Sequence, residues 1–309
     1  MMSADRSLDA LRREIDAIDE TLHDLIMRRT TVVEKVRDIK RGHKVKIRPA
    51  REAEILYRLA SRHEGPFPKR ELIRMWRELI VATLSFEGPF SVAVHMPAET
   101  CGYWDLARDQ YGSFTPMTGH ESVRRVIEAV RSQEATVGVL LMPRRDDGAP
   151  WWPHVAAANP DMPRIIARLP FAGPGNGRGG DLEALVICPV VQEPTGRDRS
   201  FLCFEAAREM GLDRLAATLS DAGLPTTFAA VWHDTETSGN WLHLVEVDGF
   251  VAADDPRLPG AAHALGRPVE SVIPLGGYAT ALTPEDLATV PAKDDESGKS
   301  AREPGDRPS

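Results

Sequence analysis

The chain has 309 residues, 42% hydrophobic and 27% charged, with a formal net charge of -8; that is length for about two domains at ~150 residues each. No run approaches the ~18 to 20 consecutive apolar residues of a membrane helix, and the start MMSADRSLDAL lacks a signal peptide's apolar stretch, so a cytoplasmic protein is expected. Cys101, Cys188 and Cys203 are far apart and lack CxxC spacing, which argues against a disulfide framework or a thiolate zinc site; no cofactor and no metal are expected.

Residues 1–88 carry 19 Lys and Arg against 15 Asp and Glu, which leaves 19 against 31 for residues 89–309. An anionic partner belongs at the positive end. The excess is small and interleaved with acids, unlike a nucleic-acid stripe, so the expected partner is a small anion.

From Leu8 the apolar residues Leu8, Leu11, Ile15, Ile18, Leu22, Leu25, Val32, Val36 and Ile39 recur in steps of three and four. That is a coiled-coil seam, and it predicts one helix from about Leu8 to Arg41, with Ser7 as N-cap and Gly42 as stop. Such a helix cannot bury its stripe alone. A second helix is predicted from Pro49, carrying Ile55, Leu56 and Leu59 and ending at His63-Glu64-Gly65-Pro66. A third, from about Lys69 to Phe86, aligns Ile73, Trp76, Ile80 and Thr83.

After Gly88-Pro89 the texture becomes α/β: strand PFSVAVHMP, helices TCGYWDLARDQYG and SVRRVIEAVRSQ, strand ATVGVLLMP. Residues 143–180, rich in Pro, Gly and Arg, are expected to be loops. The GNGRGG stretch at 175–180 satisfies GxGxxG literally but lacks the preceding strand and following helix of a dinucleotide site, and the strand ALVICPVV comes after it. From Arg199 to Tyr278 the order is strand, helix, strand, strand, helix, strand, which predicts a ferredoxin-like βαββαβ sandwich. The end, poor in apolar residues, is expected to be a disordered tail.

Several residues break their own pattern. Arg29 stands where the seam demands an apolar side chain, so it faces an acid, water or an anionic ligand. Lys40, eleven residues on, falls about 20° from the same face, so the two cations can flank one ligand. Arg12, seventeen residues before Arg29, lies about 25 Å away along the axis and reaches such a site only from another subunit. Trp76, Ile80, Thr83 and Glu87 place a hydroxyl and a carboxyl at the end of an apolar face. Arg51 and Glu52 open the second helix, where a cap and a solvated charge pair would also account for them.

The blocks LDALRREIDAIDETLHDLIMRRTTVVEKVRDIK, RPAREAEIL and MWRELIVATLSFE resemble the all-helical chorismate mutase family, the AroQ class, along the family's whole length. The resemblance implies an intertwined homodimer with two shared sites for chorismate. It places Arg12 as the arginine donated across the dimer, Arg29 and Lys40 as cationic ligands, and Arg51 and Glu52 as the motif pair. Thr83 and Glu87 stand where the family has Ser and Gln or Glu. The rearrangement to prephenate needs no nucleophile or metal, only fixed cations on two carboxylates and donors at the ether oxygen. Lys40 and a protonated Glu87 suit the ether oxygen, and Glu52 suits the ring hydroxyl. The loop before Arg51 is about one residue shorter than in well-known members, and Arg48 stands where Asp is frequent.

The remainder resembles the fusion of this mutase to prephenate dehydratase and an ACT regulatory domain, with VAVHMPAETCGYWDLARDQYG and EAVRSQEATVGVLLMP like a first dehydratase lobe and IPLGGY like the end of an ACT domain. The dehydratase Thr-Arg-Phe reads Arg199-Ser200-Phe201 here, and the Glu-Asn-Ser segment is replaced by Arg144-Arg145-Asp146. The expected organisation is therefore a mutase domain at 1–88, a degenerate dehydratase-like α/β segment at 89–196, an ACT-like domain at 197–282 that is a candidate for an amino-acid effector, and a tail at 283–309. Rival readings are an isochorismate pyruvate-lyase on the same helical fold, and a regulatory dimer without catalysis that binds an amino acid or a partner enzyme.

Overall fold

The computed structural model describes residues 7–39, 47–98, 101–159, 161–174, 181–190, 192–233, 235, 239–266 and 269–288, without the side chains of 85–87. Three helices come first. α1 (Leu8–Ile39) starts where Ser7 Oγ accepts the Ala10 N–H at 3.3 Å, α2 (Pro49–Arg62) starts on its proline, and α3 is Lys69–Glu87. The predicted C-terminal stop at Gly42 lies outside the described residues, as does Lys40. α1 buries no residue, and its apolar seam stays between 40% (Leu11, Val36) and 84% (Ile39) exposed.

The rest of the chain builds one nine-stranded sheet. In chain order come β1 (Val92–His95), α4 (Gly102–Tyr111), β2 (Met117–His120), α5 (Val123–Arg131), β3 (Val137–Leu141), β4 (Arg164–Leu169) and β5 (Ala184–Cys188). Then follow β6 (Asp198–Ala206), α6 (Leu212–Asp221), β7 (Thr226–His233), β8 (Trp241–Asp248), α7 (Arg257–Leu265), β9 (Val269–Ala279) and α8 (Pro284–Leu287). The strand order is β2-β1-β3-β5-β4-β9-β6-β8-β7. The last four form the antiparallel βαββαβ arrangement that the sequence predicts, with α6 and α7 closing a core of Leu202, Phe204, Leu215, Leu219 and Val245.

β9 joins the two halves of the sheet, pairing antiparallel with β6 and parallel with β4 at Ile165 and Gly276. Gly276 has φ +101, and a Cβ there would collide with the Ile165 carbonyl oxygen; one at Gly277 would collide with that of Arg199. The paired glycines of IPLGGY are thus what lets three backbones meet.

The structure corrects two expectations. Residues 143–180 are not all loop: RIIARL is β4, with Ile165, Ile166 and Leu169 buried. Its arginines interrupt the apolar run, but both guanidiniums find partners, Arg164 on the Ala157 carbonyl at 2.8 Å and Arg168 on Glu183 at 2.5 Å. Nor does a structureless tail begin at 283. Thr283 and Asp286 form a reciprocal capping box on α8, and Asp286 pairs with Arg197 at 2.7 Å. Residues 175–180, with GNGRGG, and 289–309 lie outside the described residues. Among the described residues no helix is long and apolar enough to cross a membrane.

Candidate active site

The helical part meets the sheet through α2 and α3. Leu56, Ile73 and Ala60 pack on Phe171, Ala279 and Leu282, beside a hydrogen bond from the Tyr57 hydroxyl to the Thr280 carbonyl. This contact fixes the faces of α2 and α3, leaving α1 to lie along α3.

Arg29 is half-buried on α1 and donates from Nη1 to the Leu79 carbonyl on α3 at 3.4 Å. Thr83 Oγ1 donates to the same carbonyl at 3.2 Å and to that of Ile80 at 2.7 Å. One chain therefore brings Arg29 and Thr83 to the same turn of α3. Burial lowers the pKa of Arg29, so the cation is already partly stripped of water there. Glu87 ends the same helix.

Arg12 stands apart. It is exposed and pairs with Asp9 at 3.4 Å, and the unbroken helix between it and Arg29 keeps the predicted separation of about 25 Å. Arg51 is likewise exposed and pairs with Glu54 at 3.1 Å.

Glu52 differs from the solvated charge pair that its position allows. It is buried and accepts from Arg77 Nη1 at 2.8 Å, both side chains being less than 10% exposed. Burial raises the pKa of Glu52, opposed by the Arg77 charge, and burial lowers that of Arg77. Gln110, with its amide turned so that oxygen faces the guanidinium, accepts from Arg77 Nη1 at 3.1 Å and Nη2 at 3.3 Å. Among the described residues Glu52 Oε1 has no hydrogen-bond partner. Sequence reasoning missed Arg77, yet the signal was there: Ile73, Arg77 and Ile80 repeat the spacing of four and three in which Arg29 interrupts its own stripe.

A family model for chorismate mutase type II matches residues 11–88. Residues 11–88 are a chorismate mutase type II domain. The bifunctional chorismate mutase/prephenate dehydratase of Aquifex aeolicus is 30% identical over 146 residues, 46% of this chain and 40% of that protein. The same enzyme of Stutzerimonas stutzeri is 34% identical over 154 residues, 48% of this chain and 42% of that one. The chain thus matches about two-fifths of the length of these relatives.

Among solved structures, a prephenate dehydratase from Arthrobacter aurescens in complex with L-Phe is 14% identical with a TM-score of 0.46, covering 66% of this chain and 93% of that one. GqqA, described as a novel type of quorum quenching acylase, is 15% identical with a TM-score of 0.46, covering 63% and 97%. Likenesses with TM-scores of 0.46 bear on neither the fold nor the function of this chain.

Within the mutase domain, then, a single chain assembles Arg29, the Leu79 carbonyl and Thr83, keeps Arg12 at a distance, and engages Glu52 with a cation of its own.

Proposed function

We propose that the chain is a chorismate mutase that converts chorismate to prephenate in phenylalanine and tyrosine biosynthesis, acting as a homodimer with two shared sites. The observation that carries this reading is Arg29, a half-buried cation in a seam that is otherwise apolar and uncovered. A second copy laid antiparallel along α1 covers the seam and brings its own Arg12 to the Arg29 of the first. Arg12 of one chain and Arg29 of the other then hold the two carboxylates of chorismate in the compact conformer. Lys40 and a protonated Glu87 donate to the ether oxygen as it gains negative charge. Thr83 and Arg51 line the site. Glu52 retains one oxygen for the ring hydroxyl, since only Oε2 is taken by Arg77.

The part after residue 88 is read as a non-catalytic extension. Where the dehydratase family has Thr-Arg-Phe, Ser200 donates to the Gly249 carbonyl and accepts the Val251 N–H, Phe201 is buried and Arg199 bonds Glu246. Those side chains are already used to hold β6 to β8 and its following turn. A cavity of about 260 Å³ before α6, lined by Arg208, Glu209 and Arg214, offers both charges that a free amino acid requires, which supports an effector there.

The test is chorismate consumption by the purified protein with product identification. Prephenate accumulation is the expected result. Phenylpyruvate formed above the spontaneous rate at neutral pH would overturn the non-catalytic extension, and salicylate from isochorismate would point to a lyase.

A further inference from the structure

The first turn of α2 carries Arg51 and Glu52. Pro49 marks where it begins, but no side chain caps it: the N-cap is Arg48, which makes no side-chain cap hydrogen bond and whose positive charge opposes the helix dipole at that end. The Arg48 carbonyl accepts the Glu52 N–H at 3.0 Å, so the placing of Arg48 places the turn. Two contacts with the part after residue 88 supply what the local sequence lacks. Ile47, 6% exposed, joins the core of Val94, Tyr103, Tyr111 and Val186. Arg48 Nη2 donates to both carboxylate oxygens of Glu193, at 2.9 and 2.7 Å, which answers the cation at the positive end of the dipole. Glu193 itself stands on a held segment between β5 and β6. Gln192 is buried beside it, and the Thr195 and Gly196 N–H groups and the Thr195 hydroxyl all donate to the buried Asp198 carboxylate at 2.7 to 3.0 Å.

We propose that Glu193, outside the matched mutase domain, is a positioning residue for the mutase reaction: through Arg48 it holds the first turn of α2 so that Arg51 meets the substrate in one place. The inference rests on the mutase reading of Arg51 given above. Arg48 and Glu193 are about half exposed, 48% and 55%, so the pair adds little to stability and its effect falls on the geometry of the start of α2. Arg51 follows three residues later, and its own ion pair, with Glu54, lies within α2, so Arg51 moves with the turn. A side chain that lines the site and touches the reactant before and during the rearrangement contributes uniform binding. Loosening it therefore raises KM and leaves kcat nearly unchanged.

The test is steady-state kinetics on the full chain carrying Glu193→Gln, which keeps the shape and removes the charge. The KM for chorismate is expected to rise about two- to fivefold, the range of an exposed pair's coupling, with kcat and the urea midpoint unchanged. The difference should shrink in molar salt, where the pair is screened. Reversing the pair, Arg48→Glu with Glu193→Arg, is expected to bring KM closer to the wild type than either reversal alone. A wild-type KM in Glu193→Gln overturns the assignment, whether or not the urea midpoint falls. A reversed pair no better than its poorer single variant also overturns it, since Arg48 would then act on the substrate itself. The anchor is read without turnover by amide exchange at Glu52, whose N–H bonds the Arg48 carbonyl. Faster exchange in Glu193→Gln is expected, and equal exchange overturns the anchor. If the wild type leaves chorismate untouched while that exchange quickens, the mutase reading falls and the anchor of α2 stands. If chorismate is consumed and Glu193→Gln matches the wild type in KM and exchange, the mutase reading stands and the positioning role falls.

Discussion

In β5 all five residues are buried, whereas in α1 none of thirty-two is, although both segments show clear apolar patterning. The strand finds its cover inside the chain, between β3 and β4 and beneath the helices. The helix has an apolar seam on one side, and among the described residues its main neighbour is α3, which the Arg29 to Leu79 bond meets near the middle. A pattern of apolar residues thus states that a face must be covered but not by what. In the sheet part the answer is intramolecular, and in the helical part we propose that it is a second copy.

The largest effect is expected where that comparison is broken outright. Ile18→Glu combined with Leu25→Glu puts two charges into the uncovered seam. Sedimentation is expected to show a monomer and chorismate turnover to vanish, while the far-ultraviolet signature of the sheet persists. A dimeric, active variant would mean that the seam is not the interface.

Next comes the buried pair that ties α2 to α3 within the helical part. Arg77→Met strands the Glu52 carboxylate in a site where both side chains are less than 10% exposed, which is expected to cost about 3–5 kcal/mol in urea unfolding. Adding Glu52→Gln should recover much of it. Equal stability of the single and double variants would show that the two groups are not coupled.

Gly276→Ala probes the opposite side of the comparison, the self-sufficient sheet. The positive φ of +101 and the close Ile165 backbone predict a loss of about 1–3 kcal/mol. The loss should be the same at all protein concentrations, because β4 and β9 belong to one chain. Concentration dependence would place that junction between copies.

The smallest effect belongs to α8, which clips the helical part to the sheet through Arg197 over Tyr57 and Lys69 on the Asp286 carbonyl. Hydrogen bonding to Arg197 holds the Asp286 carboxyl below the usual carboxylate range. Because the folded value is the lower one, its stabilisation is complete above the unfolded pKa of about 3.9 and is lost as pH falls through the depressed folded value. Asp286→Asn should therefore cost under about 1 kcal/mol at neutral pH, the pair being partly screened by solvent, and should flatten the acid limb of the stability curve. An unchanged acid limb would remove Asp286 from the clamp.

The candidate site was partly legible in the sequence. Arg29 was found because it violates a heptad, and the violation is local. Arg77 violates its stripe in the same way, but it adjoins Trp76, whose own spacing to Ile80 makes a complete apolar face without it. Its pairing with Glu52 spans 25 residues and two helices, so no local pattern states it. The strand β4 was hidden for a related reason: Arg164 and Arg168 look like loop residues until the carbonyls and the carboxylate that receive them are brought near.

The three helices, the order of the βαββαβ unit and the interrupted seam follow from periods of about 3.6 and 2 along the chain, which depend only on neighbours a few residues away. Which buried charges meet, where β9 inserts between β4 and β6, and how α2 and α3 seat on Phe171 depend on residues far apart in the chain. Those were decided by tertiary packing, since a guanidinium is drawn to whichever acceptor the fold brings within reach when water is excluded.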